Sequence, residues 1–340
     1  MLTIPFPELI EKAQRIYTEN FPLTTLFERA IFFSWGCTIG DCTFCYMSTQ
    51  PADKPPKETK RSAESILAEF ILAKKFGWDI GFFTGGIGVF TPGEMESLLR
   101  NIIHITQEKI WLSLGPLSKP LLQRYLPYAK GIVGSTETIN PILHAKVCPS
   151  KPLKPYEMMF EAASELGLKK AMTFIVGMGE TKEDLPLLKK FIQKYSIDKI
   201  HLYSLIPQKG TPFEHAAIPS AEEQAWWIAQ LRITFPTLDI QAGIWEDRVE
   251  RVEILLRAGA NSLSKFRALN LFGGPAAAEI ERQANKAGRI FRGTLTSLPE
   301  ADWDSIVKEL PFDEHLQQGV RNKLETYLRK IRKTQTISML

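Results

Sequence analysis

The chain has 340 residues, a net charge of +4, and is 44% hydrophobic and 10% aromatic, the profile of a globular protein with a large apolar core. It has no run of ~18 apolar residues that would span a membrane, no apolar secretory signal at its start, and no lysine–arginine stripe to mark a nucleic-acid footprint. Three of its four cysteines fall within nine residues; that is not a disulfide framework, and it fits a reducing cytoplasm and a metal site.

In chain order, an N-terminal helix is expected over about 7–20. Short apolar runs then alternate with longer amphipathic ones. The runs 30–34, 79–83, 109–114, 131–134, 172–177, 199–205, 237–241 and 260–264 are bounded by turn formers and read as strands. Between them, AESILAEFILAKKFG sets Ile66, Phe70 and Ile71 at helical spacing and stops at Gly77. Pro92 suits the first turn of its helix, and Thr181 with Asp184 reads as a helix-start cap.

Strands alternating with helices imply parallel βαβ units. Eight of them predict an α/β fold, a TIM-type (βα)8 barrel, over a doubly wound open sheet. The expected organisation is an N-terminal helical segment (1–25), the barrel (26–270) and a helical C-terminal extension (271–340). The basic stretch KLETYLRKIRK in that extension reads as a solvated helix face. In such barrels the chemistry gathers at the C-terminal ends of the strands.

The cysteines Cys37, Cys42 and Cys45, spaced C-x4-C-x2-C, directly follow the first barrel strand. A structural zinc site wants a fourth Cys or His nearby, and His104 and His144 stand far down the chain. A redox C-x-x-C pair would use Cys42 and Cys45 and leave Cys37 idle. A four-iron cluster held by three thiolates leaves one iron free to bind a ligand. Other strand ends carry FFTGGIGVF, GSTETIN, TFIVGMGET and LYSLIPQKGTPFE. Their glycines allow close backbone approach, and Tyr203, Ser204 and Gln208 suggest a polar patch at the mouth. Asn261, Ser262 and Lys265 are expected near the substrate end.

The cysteine triplet, with Phe44 just before its last member, and the glycine-rich strand ends resemble the radical S-adenosylmethionine (SAM) superfamily. Its usual spacing is C-x3-C-x2-C, so the first gap here is one residue longer. The resemblance implies a [4Fe-4S] cluster on Cys37, Cys42 and Cys45, with SAM chelating the open iron. An electron, brought by a flavodoxin- or ferredoxin-type donor, then yields a 5′-deoxyadenosyl radical that abstracts hydrogen from an unactivated C–H bond. It also implies SAM contacts at Phe44, Gly85, Gly86, Glu137, Lys151 and either Ile175 or Val176. Cys148 and Tyr203 are the candidate catalytic residues, Cys148 as a lone ligand, sulfur carrier or radical quencher, or simply a packed thiol.

Over roughly 27–299, GTLTSLP included, the chain is similar to the biotin synthase-like branch. Biotin synthases hold a second, sulfur-donating cluster on three cysteines and an arginine. Those positions fall near Phe82–Phe83, Trp111, Ala171 and Asp239, none of which matches. The resemblance extends to archaeal two-component lipoyl synthases. This implies sulfur insertion into the octanoyl chain of a carrier protein with a second radical SAM subunit. Alternatives are assembly of a hydrogenase-type iron cofactor and a non-catalytic, metal-stabilised binding protein. A lid over the site is expected from residues 50–61 or from the helical tail beyond Asp302.

Overall fold

The computed structural model describes residues 4–50 and 55–339. Eight parallel strands follow one another in sequence order around a barrel: β2 (Glu28–Phe32), β3 (Asp79–Thr84), β4 (Ile110–Ser113), β5 (Ala129–Gly134), β6 (Lys169–Val176), β7 (Lys199–Ser204), β8 (Asp239–Gly243) and β9 (Ser262–Ser264). A single bridge from Phe27 to Leu263 brings the first and last of them together. The barrel was the sequence expectation, and the strand order bears it out.

The helices start where the caps say. Ser62 Oγ accepts the Ser65 N–H at the start of helix Ala63–Lys75, and Thr91 with Glu94 forms a capping box ahead of Pro92 in helix Pro92–Thr106. Thr181 and Asp184 make the box before helix Leu185–Tyr195.

Side chains alternate across each strand. On β6, Met172, Phe174 and Val176 join the outer core beneath the helices, whereas Ala171 and Ile175 join the packed barrel interior with Phe82, Trp111, Val133 and Tyr203. Both faces are covered, so the strands read as nearly continuous apolar runs.

A short parallel pair, β1 (Thr24–Leu26) with β10 (Ile290–Arg292), ties the segment after the first helix to the C-terminal extension. Beside it, the GTLTSLP segment runs along the end of helix Ala63–Lys75. Thr294 donates its N–H to Phe76 O (2.9 Å), and Trp78 Nε1 donates to Thr294 O (2.7 Å). A Cβ on Gly293 would lie 2.5 Å from Gly77 O, so this seam needs glycine.

The last helix, Glu314–Met339, buries Val320, Leu324, Leu328 and Ile331 and leaves Lys323, Arg329 and Lys330 exposed. Its Tyr327 hydroxyl bonds Ser65 Oγ (2.8 Å) beside the barrel mouth, so the tail forms a side wall there. The other lid candidate falls partly on residues 51–54, outside the described residues; Lys60, near its end, pairs with Glu94 (2.7 Å). No described helix is long and apolar enough to cross a membrane.

Candidate active site at the C-terminal face of the barrel

The chain leaves β2 and folds the cysteine loop over the barrel mouth. Cys37, Cys42 and Cys45 are free, half-buried thiols on the wall of one cavity of about 780 Å³. The loop after β3 holds them in place. Ile87 donates its N–H to Cys37 Sγ (3.3 Å), Thr38 donates its N–H to Ile87 O (3.0 Å), and Gly86 donates its N–H to Ser34 Oγ (2.9 Å).

Gly85 and Gly86 line the cavity, but their bareness serves this packing first. A Cβ on Gly86 would lie 1.7 Å from Gly36 O, and one on Gly85 2.4 Å from the Phe33 ring. Phe44 lines the cavity between Cys42 and Cys45.

Glu137 lies in the loop after β5 with left-handed backbone (φ 60°). Its carboxylate accepts Lys151 Nζ (3.0 Å) and Thr173 Oγ1 (2.9 Å). Burial alone would raise the Glu137 carboxyl, yet the Lys151 ammonium and the Thr173 hydroxyl hold it below its ordinary range. Burial would likewise drive the proton off Lys151, and Glu137 reverses this, keeping the ammonium charged. The two proposed SAM contacts therefore form one buried ion pair on the cavity wall. They keep acceptor and donor capacity for a zwitterionic ligand.

Cys148 caps helix Pro141–Val147 and lies behind Cys42, off the cavity wall, with the two thiols in contact. That contact, with burial, keeps Cys148 protonated; the same contact lowers Cys42, and burial raises Cys45.

Of the two adenine-facing candidates, Ile175 lines the cavity and Val176 points into the outer core, as strand alternation requires. The expectation for Val176 is corrected on that ground. Tyr203 and Ser204, the last two residues of β7, lie on the cavity wall, as does Gln208 beyond them. Asn261 and Ser262 do not reach the mouth. They sit at the N-terminal end of β9, where Asn261 Oδ1 accepts from Arg232 (2.6 Å) and Ser262 Oγ donates to Glu28 Oε1 (2.6 Å). Lys265, just past that strand, does line the cavity.

Beneath Tyr203 runs a buried polar column. Lys199 Nζ bridges Asp239 (3.0 Å) and Glu28 (2.6 Å) at the barrel floor. Gln241 Nε2 donates to Glu28 Oε2, and Gln241 Oε1 faces His201 Nδ1 (2.7 Å) and the Tyr203 hydroxyl (3.2 Å). Sequence reasoning did not find this column. Its signal was the period of two in K-x-H-x-Y and D-x-Q-x-G, which aims Lys199, His201 and Tyr203 at one face and Asp239 and Gln241 at theirs. At the positions of a biotin synthase second cluster, Phe82, Trp111 and Ala171 pack together in the interior, with Phe82 edge-on to His201 at 4.8 Å, and Asp239 is held by Lys199.

The donor set fits an iron–sulfur cluster. Three soft thiols from one loop face one cavity, and a backbone N–H points at a ligand sulfur, a contact that stabilises and tunes such clusters. Among the described residues, no three His, Cys, Asp or Glu side chains converge on a point that would hold a single metal ion.

Residues 31–192, which carry the cysteine loop and strands β2 to β6 except for the first residues of β2, match the model of the Radical SAM superfamily. The uncharacterized protein MJ0597 of Methanocaldococcus jannaschii is 32% identical over 343 residues, covering 95% of each chain. A biotin synthase of Anaeromyxobacter sp. is 28% identical over 287 residues, covering 79% of this chain and 77% of its own.

Among solved structures, methylornithine synthase (PylB) matches with a TM-score of 0.72 at 18% identity, over 88% of this chain and 91% of its own. The FeFe-hydrogenase maturase HydG from Carboxydothermus hydrogenoformans matches with 0.69 at 16%, over 98% and 85%. At those identities the structural likeness speaks for the fold alone. With the barrel, the thiol loop and the sequence match in agreement, the chain belongs to the radical SAM superfamily, which implies a [4Fe-4S] cluster and SAM as its cofactors.

Proposed function

We propose that this chain is a radical enzyme that removes a hydrogen atom from an unactivated C–H bond of a substrate bound in the cavity above β2 to β9. The observation that supports this reading is the set of three thiols, Cys37, Cys42 and Cys45, on the wall of a cavity at the C-terminal face, with the fourth thiol set back. Three thiolates leave one iron of a cube without a protein ligand. When bound, the reduced cluster and SAM supply a 5′-deoxyadenosyl radical.

The chain's own residues do the rest. Lys151 and Glu137 offer opposite charges to the amino-acid end of SAM, and Ile175 offers an apolar surface to its base. Phe44, Phe82, Leu205 and Trp245 give the cavity apolar walls that keep water from a radical. Anaerobic reconstitution followed by SAM and dithionite should release 5′-deoxyadenosine. No release from protein that holds its iron would overturn the reading.

The narrower reading is sulfur insertion in lipoyl biosynthesis, shared with a second radical SAM subunit and an octanoylated carrier protein, and fed by a flavodoxin- or ferredoxin-type donor. The apolar cavity walls favour it. Because Phe82, Trp111 and Ala171 fill the positions of an internal sulfur-donating cluster, the partner must bring the sulfur. No gain of sulfur mass on an octanoylated peptide, with and without that partner, discards it. HydG-like cofactor assembly has only the shared fold behind it.

A further inference from the structure

Lys265 is the first residue past β9. Its φ is 70°, a left-handed backbone that L side chains rarely adopt and enter only with strain. Among the described residues four non-glycines have positive φ. Gln107 and Ser196 are helix C-caps, where that conformation is routine. The other two, Glu137 and Lys265, line the cavity.

The strain at Lys265 is held from both sides. Ser264 O accepts the Ile244 N–H (3.0 Å), and Phe266 is fully buried against Phe27. Strain fixed in this way clusters at ligand sites.

The side chain it delivers is unusual. Lys265 Nζ lies 4.4 Å above the Tyr203 ring, and among the described residues it has no hydrogen bond or ion pair. The carboxylate that acts on it most, Glu137, is already held by Lys151. The other cations on the cavity wall have anions of their own: Arg29 and Arg61 share Glu69, Lys151 has Glu137, and Arg267 has Glu246. The ring beneath Lys265 is fixed in turn, since Tyr203 is tied to Gln241 and a Cβ on Gly243 would lie 2.3 Å from its Cδ1.

We infer that Lys265 binds an anionic group of the substrate, a carboxylate set on an otherwise apolar body, in the cavity that the Lys151–Glu137 pair also lines. This rests on reading the cavity as a substrate site. A lone cation in a half-enclosed, apolar-walled site is unfavourable until an anion joins it, and one ammonium over a ring matches one carboxylate. A neutral octanoyl amide would leave Lys265 unpaired, so the inference weighs toward a free acid over a carrier-bound chain.

The test uses the reconstituted, SAM-loaded protein and trifluoroacetate, a carboxylate small enough to enter any such site, followed by 19F NMR. Wild type should show saturable binding. Lys265→Met should weaken it at least about tenfold, as befits loss of a charged hydrogen bond, while Lys265→Arg keeps most of it. No saturable binding in wild type, or equal binding in Lys265→Met, overturns the inference. So does a loss of SAM affinity in Lys265→Met with trifluoroacetate binding unchanged, which would give Lys265 to SAM. Failure of wild type to cleave SAM strikes the radical reading instead and leaves the anion site standing on its own titration.

Discussion

Gly86→Ala is the sharpest probe of the cysteine loop, because it adds one methyl and removes no ligand. Built on the backbone, the new Cβ lies 1.7 Å from Gly36 O and 2.6 Å from Cys37 Cα, so the two loops must part by about 1.3 Å to reach the 3.0 Å that real Cβ contacts keep. Both obstacles are backbone, and no side chain can swing away. The movement strains the Ile87 N–H to Cys37 Sγ bond (3.3 Å) and the Gly86 N–H to Ser34 Oγ bond (2.9 Å). Overpacking costs about 1–3 kcal/mol and a lost hydrogen bond about 1 more. The assay is iron and sulfide per chain after anaerobic reconstitution, read beside thermal unfolding. Gly86→Ala should unfold earlier and bind markedly less iron. Gly93→Ala is the control: it sits in a helix first turn with its nearest atom, Arg124 Nη2, 3.8 Å from the new Cβ, and should be neutral or stabilising by up to ~1 kcal/mol. Wild-type iron content in Gly86→Ala would refute the claim that the glycine pair seats the thiol loop.

Alanine at Cys37, Cys42 or Cys45 should each abolish the cluster's visible absorption while leaving far-UV circular dichroism intact, since all three lie on a half-exposed loop. Cys148→Ser should keep the iron, because that thiol is off the cavity wall; loss of iron there would make Cys148 a ligand. Glu69→Gln leaves Arg29 and Arg61, each 2.7 Å from the carboxylate, without their shared anion. It should cost about 3–5 kcal/mol, read in urea unfolding; a cost under ~1 kcal/mol would show the triad to be solvent-screened.

Burial first, then the Lys199 cation, pushes His201 down to about 3. Its unfolded value is near ~6.5. Between these limits the unfolded chain holds one proton more, so stability falls with falling pH by up to ~1.4 kcal/mol per unit. His201→Gln should flatten the stability profile there, and an unchanged slope would contradict the buried neutral imidazole.

Much of the architecture was legible because parallel barrel strands are short, apolar and fenced by turn formers. The three thiols were legible because their spacing is chemical in itself. What misled the reading were polar residues that the tertiary fold buries. Glu28 opens β2, where a charged residue reads as a turn, so that strand window starts two residues late; the β8 window starts two residues early because it takes in Thr237 and Leu238 ahead of Asp239. Asn261 and Ser262 were put at the wrong end because β9 starts at Ser262, making Lys265 the mouth residue. Ile175 and Val176 could not be told apart, since each faces an apolar layer. The pairing of β1 with β10 joins three-residue segments far apart in sequence, and nothing local to either one points to the other.

The buried column gives the cavity a direction that an apolar floor would not. Replacing buried charges with hydrocarbon is often neutral or stabilising, so stability is not what Glu28 and Lys199 chiefly supply. Glu28 can only accept, which forces Gln241 to turn Nε2 toward it and Oε1 upward. An upward Oε1 needs donors, so His201 takes the Nδ1–H tautomer, its Nε2 without a partner among the described residues, and Tyr203 points its hydroxyl down. With the hydroxyl pinned and Gly243 bare beside it, the Tyr203 ring has one resting place, and Lys265 lies over its face. A carboxylate at the barrel floor thus sets, through one amide, where the cation at the mouth stands.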